Sequence, residues 1–461
     1  MSLPQTIRSF IIPINLATVT SIAVVVLDTL RRDTFNEHFN WMPGTKFENA
    51  YSTSHWTVPA HASLFTGKYP SEIGVHGKSV DLDCQKAVIA EKLRADGYST
   101  RMFTANPQIY MWDGWDRGFR DHVGPSNLDP KYDNLVDWEE FYSKNTKTGI
   151  RKYFSALRYC IEDDSPTIPS LKRGYELETS TPDSGASSVL KRIKSIDVGS
   201  KDFLLINLMD VHTPYYPPEE YRSYADPVNV VFADSFSDEE LNKERIRTAY
   251  KDSVRYLSDK YKDIFTILSE KYDYIITLSD HGELLGEHGM WNHSYGLYQE
   301  LVKIPLVVSG QNIQTKSIPR SVSILDVHQT IADLADVDVE SRGENLLNSS
   351  KKQEHLFEYH GLLSWHQDQF DRKNIPEKTF NRLDTPLDGV VDDECFARED
   401  HDEGIVVERG KTNSEDASEK IDKIISQFKR TPHGGMDDQD ADDDDDVSDE
   451  VKSRLEDLGY A

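Results

Sequence analysis

The sequence is poor in cysteine. Its 461 residues hold three, Cys84, Cys160 and Cys395, none spaced as metal ligands. So sparse and odd a set excludes a disulfide framework and a cysteine-built zinc site, and it fits a reducing compartment. A long apolar run is also missing. Residues 10–27 come nearest, but Pro13, Asn15, Thr18, Thr20 and Ser21 interrupt them, so no stable membrane insertion is expected. No small-x-small cleavage site stands out there either. A cytoplasmic protein is expected, with an exported form left open. Positive charge is in deficit: 52 Lys and Arg face 80 Asp and Glu, a formal charge of −28. Such a chain repels nucleic acid and anionic surfaces. Salt would relieve its self-repulsion, and an acidic surface of this kind suits a halophilic, high-salt interior. Part of the excess is local, because residues 437–450 are mostly acidic. No internal repeat is visible.

What is present is an alternation of short apolar runs with helical patterns. It predicts an α/β fold with a mainly parallel sheet. Strands are expected at 22–27, 99–104, 203–208, 274–278 and 304–308. Helices are expected at 85–96 and 324–334, with a long helical pattern over 237–271, broken once at most. Residues 125–185 are rich in aromatic residues, Lys and Asp without a clean period, and read as an insertion over the active face. Residues 1–337 then form a catalytic domain. Residues 338–430 form a small C-terminal subdomain, with a strand at 355–359 and a helix at 416–429. Residues 431–461 form an acidic tail whose composition is that of a largely disordered segment.

Three of the expected strands run into an aspartate: Asp28, Asp210 and Asp280. In open parallel sheets, ligands bind beyond the carboxyl ends of the strands. Three carboxylates at that edge form a plausible metal cradle, although each alone is also an ordinary turn residue. Asp280 is followed by His281, and adjacent residues at a strand end can turn toward one ion. The segment SHWTVPAHASLFTGKYP supplies the last element. Pro59 suits the first turn of a helix and Gly67 its stop, so the helix is expected over 59–66 with Thr57 just ahead of it. A hydroxyl there is either a simple cap or, beside a metal, a nucleophile.

Together these segments resemble the sulfatase family of the alkaline-phosphatase superfamily over residues 20–345. VVVLDTLRRD is similar to the family's first metal strand. FENAYSTSHWTVPAHASLFTGKYPSEIGVHG is similar to its nucleophile segment, and LINLMDVHTPYYPP to the strand carrying an active-site histidine. TLSDHGELLGEHGMW and VKIPLVVSG resemble the second metal motif and the strand after it. VSILDVHQTIADLADV and the closing RLEDLGYA follow in family order.

The resemblance implies an alkaline-phosphatase-like three-layer sandwich with a small C-terminal subdomain. It implies Asp28, Asp280 and His281 as metal ligands, with Thr57 bridging metal and substrate. It places His212 and His293 where the family keeps a histidine and a cationic residue against the ester oxygens, and His61 where sulfatases carry an arginine; Lys78 is a further candidate to stabilise the developing charge. Three departures follow. Thr57 cannot give the formylglycine that sulfatases make from Cys or Ser. His61 replaces the supporting arginine. Thr29 replaces the second aspartate of a usual pair. They favour hydrolysis of phosphoric mono- or diesters through a covalent Thr57 intermediate. A true sulfatase remains the alternative, as does a transferase that moves a phospho group onto a glycan or lipid acceptor. Trp138, Phe141 and Tyr142 could form the acceptor's platform. A non-catalytic binding protein would not need a complete ligand set. The mixed carboxylate and imidazole ligands suit Mn or Zn, with Ca or Mg open. A second ion would draw on Asp210, His212 and His293.

Overall fold

Ile22–Leu27 is six aliphatic residues without polar alternation, so the strand needs cover on both faces. All six residues have no solvent exposure, because the strand lies inside a nine-stranded sheet. In a computed structural model the chain is described over residues 20–428, except 146–149, 180–184, 238–240 and 350. The acidic segment 431–461 lies outside the described residues.

From edge to edge the sheet runs Lys316–Ser323, Thr45–Tyr51, Leu306–Gly310, Tyr274–Leu278, Ile22–Leu27, Asp202–Leu208, Ser99–Thr104 and Asp121–Val123, with Lys303–Ile304 also on Thr45–Tyr51. Leu306–Gly310 and Lys303–Ile304 run antiparallel to their neighbours. Every other pairing is parallel. The single strand expected at 304–308 is therefore two. Pro305 has no N–H for a ladder, and the chain changes partners there. Helices pack in two groups: Lys243–Lys271 with Ala186–Ser195 and Arg32–His38, and Ile324–Ala335 with Thr57–Thr66 and Ile89–Ala95. This is the layered arrangement, helices on both faces of a mainly parallel sheet, that the resemblance implied.

Some ends differ from the sequence pattern for local reasons. The first helix of the 85–96 stretch starts at Ile89, where the Glu91 carboxylate accepts the Val88 N–H. The long helix starts at Lys243, because the Asn242 side chain caps Arg245, and it continues unbroken to Lys271.

Within 125–185, the helices Trp138–Lys144, Ile150–Glu162 and Thr167–Thr179 close over a small core of their own. Val136, Trp138, Phe141, Tyr142 and Cys160 form it. Trp138, Phe141 and Tyr142 are thus core and not a platform. Their rings pack on each other, and Trp138 Nε1 donates to the Ser170 carbonyl.

A second, antiparallel sheet follows: His355–Tyr359, Leu387–Val391, Phe396–Asp400 and Gly404–Arg409. Helix Ser414–Ile425 covers it with Ala417, Ile421 and Ile424. It is pinned beside the site, since Glu358 N–H donates to Thr53 O at 2.8 Å and Ser54 Oγ to Glu358 O at 2.7 Å.

Candidate metal centre and active site

Ile22–Leu27 and Tyr274–Leu278 are parallel neighbours, with Val26 opposite Leu278. The residues just beyond them, Asp28 and Asp280, therefore leave the sheet at one edge. The backbone turns sharply at Thr29, whose φ is +58. Thr29 spends its hydroxyl on the Asp28 carbonyl at 2.7 Å, so it is no substitute for a second carboxylate.

His281 is held by a backbone bond. Its Nδ1–H donates to Gly282 O at 2.9 Å, which leaves the Nε2 lone pair facing inward. That nitrogen is 3.5 Å from Asp280 Oδ2, 3.8 Å from Asp28 Oδ1 and 3.2 Å from Thr57 Oγ1. Gly282 is required here: a Cβ would sit 2.0 Å from the Glu300 carbonyl oxygen.

Asp28, Asp280 and His281 are fully buried, with ligand atoms all within 4.8 Å of one another. No hydrogen bond of ordinary geometry reaches Asp28 Oδ1 or Asp280 Oδ2. Buried acceptors without donors are costly, and a divalent cation is what satisfies them. Burial pushes the Asp28 and Asp280 carboxyl groups up to about 7, and for Asp28 the neighbouring Asp280 charge adds to it. Burial lowers His281, against the pull of Asp28. The residues present fit a metal ion.

Thr57 is the first residue of helix Thr57–Thr66, two residues earlier than the Pro59 start expected. Trp56 is the N-cap and makes no side-chain cap bond. Gly67, at φ +67, ends the helix. Thr57 Oγ1 thus stands at the positive end of a fully buried helix.

Two asparagines complete the arrangement. Asn106 Nδ2 donates to Asp28 Oδ2 at 2.7 Å and to Thr57 Oγ1 at 3.4 Å. Asn207 Nδ2 donates to Asp28 Oδ2 at 3.2 Å and to His61 Nε2 at 3.4 Å. One oxygen of Asp28 is thereby fixed while the other stays open. The sequence reading missed both. The signals were an amide inside the apolar strand LINL, and an Asn before Pro at a strand end.

His61 Nδ1–H donates to Thr57 O at 3.0 Å and lies 3.6 Å from Asp280 Oδ2. Burial holds it down at about 4, so it is neutral and supplies no fixed charge where sulfatases carry arginine. His212 Nδ1–H donates to Thr213 O at 2.6 Å, and its ring stands edge-on to His293 at 5.0 Å. His293 lies 4.6 Å from His281, centroid to centroid. Its Nδ1 meets Glu283 Oε1 at 3.2 Å, and Tyr215 Oη donates to the other Glu283 oxygen at 3.2 Å. Glu283, also missed in the sequence, is pushed up to about 8 by burial.

Asp210 Oδ2 accepts the Ala186 N–H at 3.1 Å. Among the described residues, Asp210, His212 and His293 do not gather ligand atoms as Asp28, Asp280 and His281 do. Lys78 Nζ pairs with Asp384 at 2.8 Å. Beside Thr57 a narrow cleft is lined by His55, Trp56, Gly77, His293, His360 and His366, among others, with no carboxylate or ammonium in its wall. None of the described helices is long and apolar enough to cross a membrane.

The choline-sulfatase of Rhizobium meliloti (strain 1021) is 23% identical over 333 residues, 64% of this chain and 61% of that protein. The chain spans about three fifths of the length of the curated relatives it matches. Among solved structures, the phosphonate monoester hydrolase of Silicibacter pomeroyi superposes with a TM-score of 0.60 at 15% identity, covering 88% of this chain and 94% of that one. An alkaline phosphatase superfamily protein from Vibrio parahaemolyticus gives 0.50 at 15% identity, covering 87% and 85%. These two likenesses are of fold. The sulfatase family model matches residues 34–337, well over half of the sequence, and the chain belongs to the sulfatase family.

Proposed function

We propose that the chain is a divalent-metal-dependent hydrolase of phosphoric esters, with Thr57 Oγ1 as nucleophile. The observation that carries the reading is the position of that hydroxyl. It stands at a helix start, 3.2 Å from His281 Nε2 and beside Asp28 Oδ1 and Asp280 Oδ2, two buried oxygens without a donor that a cation would satisfy. Asp28, Asp280 and His281 would hold the ion, Mn or Zn for preference. When bound, the ion would lower the hydroxyl's pKa and polarise a phosphoryl oxygen.

The protein's own groups do the rest. Asn106 orients Thr57 Oγ1 for in-line attack at phosphorus. With the Oγ1 proton released to solvent before attack, a bond from Oγ1 to phosphorus forms as the bond to the leaving oxygen breaks, and Oγ1 is freed unprotonated again when water cleaves the adduct. His212 has its Nδ1 proton committed to Thr213 O, so its Nε2 donates only as imidazolium. A bound anionic ester favours that charged form. His212 then protonates the leaving oxygen and later takes a proton from the water that cleaves the phosphothreonine. His293, oriented by Glu283, faces the same oxygens.

Thr57 argues against sulfate. A formylglycine hydrate expels sulfate by collapsing to an aldehyde, and threonine has no such exit. The neutral His61 leaves less fixed positive charge than arginine would, which favours singly charged esters such as diesters. The uncharged cleft wall suits an uncharged leaving group. That a structural neighbour is a phosphonate monoester hydrolase supports phosphorus chemistry on this fold.

Turnover should be compared on matched nitrophenyl phosphate, phosphodiester, phosphonate and sulfate esters under one metal condition. The phosphorus esters are expected to be cleaved faster. Faster cleavage of the sulfate ester would reverse the reading.

A further inference from the structure

The cleft beside Thr57 opens where the catalytic domain meets the second sheet. Trp56, Pro59 and Gly77 line it from one side, and Gly361, Leu363 and His366 from the other. Its link to the ester site is His293, whose ring is also part of the wall. A group seated there departs with the leaving oxygen, so the inference rests on the reading of the site as an ester hydrolase.

Most polar groups of the wall are already committed. Ser54 Oγ donates to Glu358 O at 2.7 Å, Ser294 Oγ to Asn292 Oδ1 at 2.8 Å, and Asn292 Nδ2 to Val230 O at 3.3 Å. The His360 ring stacks on His76, 4.6 Å between centroids. Two imidazoles differ. His55 Nδ1–H donates to the His293 carbonyl at 2.7 Å, which leaves a lone pair on Nε2. His366 lies in the first turn of helix Ser364–Arg372, where its Nδ1 accepts the Leu363 N–H at 3.0 Å. Its proton is therefore on Nε2. Both rings line the cleft and are buried, with 6% and 1% exposure. Among the described residues, no hydrogen bond reaches either Nε2. The wall holds no carboxylate that would support a charged ring. The backbone thus sets one acceptor and one donor in a slot otherwise walled by Trp56 and Leu363. Gly77 keeps those two side chains in place, because a Cβ there would sit 2.6 Å from Leu363 Cδ2 and 3.7 Å from the Trp56 ring.

A hydroxyl satisfies this pair, since it donates to one nitrogen and accepts from the other. An ammonium offers nothing to His366 Nε2–H, and a carboxylate offers nothing to His55 Nε2. An alkyl group leaves both unmet, which is costly in a buried site.

We propose that His55 and His366 determine specificity by reading a free hydroxyl on the leaving group, so that the substrate is an ester of a neutral polyol or sugar. The test compares hydroxyethyl, propyl, aminoethyl and carboxymethyl esters, each as phosphate and as sulfate, under one metal condition. Hydroxyethyl and propyl esters match in size and differ in the hydroxyl. The hydroxyethyl ester should exceed each of the others in kcat/KM by about 10²-fold. His55→Leu and His366→Leu should each bring the hydroxyethyl-to-propyl ratio close to one. His366→Gln, whose amide N–H reaches the same place, should recover most of it. The ratio is read on one preparation, so a loss of folded protein cancels. A wild-type ratio near one would overturn the proposal, as would a ratio unmoved in both leucine variants. So would a preference for the aminoethyl ester, or turnover of nitrophenyl esters with none of the hydroxyethyl ester. If sulfate esters are cleaved faster while the hydroxyl ratio holds among them, the phosphorus reading fails and this one stands.

Discussion

The proposed chemistry turns on Thr57, and its neighbours are those a threonine nucleophile would need. Its hydroxyl is bracketed by the Asn106 amide, a donor, and His281 Nε2, an acceptor. Thr57→Ala should therefore reduce kcat by at least about 10³-fold with the fold intact. Thr57→Ser, which keeps the oxygen, should retain measurable turnover. Near-normal turnover by the alanine variant would remove Thr57 from the mechanism. Asp280→Asn has a two-sided expectation. It replaces a buried acceptor by a group that can donate to Asp28 Oδ1 or His281 Nε2, so the metal-free chain should melt no lower than wild type. The rise in Tm on adding metal should vanish, and a metal-induced rise equal to wild type would contradict the ligand assignment. Asp28, Thr57, Asp280 and His281 were legible because motif spacing marks them. Asn106, Asn207 and Glu283 were not, because each acts on a partner that only the folded chain brings near. Asn207 meets Asp28 across 179 residues of sequence.

At the scale of elements, the buried parallel strands were the most readable. Ile22–Leu27, Ser99–Thr104 and Tyr274–Leu278 begin and end where expected, and Ile22–Leu27, covered on both faces, carries no polar residue at all. Thr45–Tyr51 and Lys316–Ser323 were not expected: they lie toward the sheet edge and their sequences mix charge with apolar residues. The helices Ile150–Glu162 and Thr167–Thr179 were not expected as separate elements; Ile150–Glu162 keeps Arg151, Arg158 and Glu162 on one stripe and divides its apolar residues between the small core and solvent. Connecting turns carry function as much as the strands do. Between His281 and Glu283, Gly282 packs against the Glu300 carbonyl so closely that a Cβ would sit 2.0 Å from it. Gly282→Ala must therefore shift the turn and swing both side chains. Metal affinity should fall by about tenfold or more, measured by competition with a chelator of known affinity, while the chain stays folded. Unchanged affinity would mean that His281 is not positioned by this turn.

For the whole molecule, the site stores unfavourable free energy that a bound metal ion would release, and the pH dependence follows from burial. In the metal-free chain the Asp28 and Asp280 carboxyl groups are raised to about 7 and Glu283 to about 8. Unfolded carboxyls titrate near about 4. Between about pH 4 and the raised folded values, these three groups thus bind more protons in the native chain than in the unfolded one. The buried His55, His61, His281 and His366 are lowered by burial and act oppositely below about pH 6.5, where unfolded histidine is protonated. From about pH 7 upward only the acids differ, and stability is lost as pH rises through their folded values. The net charge of −28 acts in the same direction, since repulsion grows as the remaining acids ionise, but it is common to both metal states. The difference between them isolates the site. A divalent ion requires the ionised ligands, so protons compete with it below about pH 7 and not above. The Tm of the chelator-treated protein should decline from about pH 7 to pH 8, and the increment in Tm on adding Mn or Zn should grow from about pH 5 to pH 7 and then level off. Raising salt should lift both curves together by screening the surface charge, leaving the increment nearly unchanged because the ligands are buried. A metal increment that is flat with pH, or that shrinks as pH rises, would show that Asp28 and Asp280 are not the groups that release protons when the ion binds.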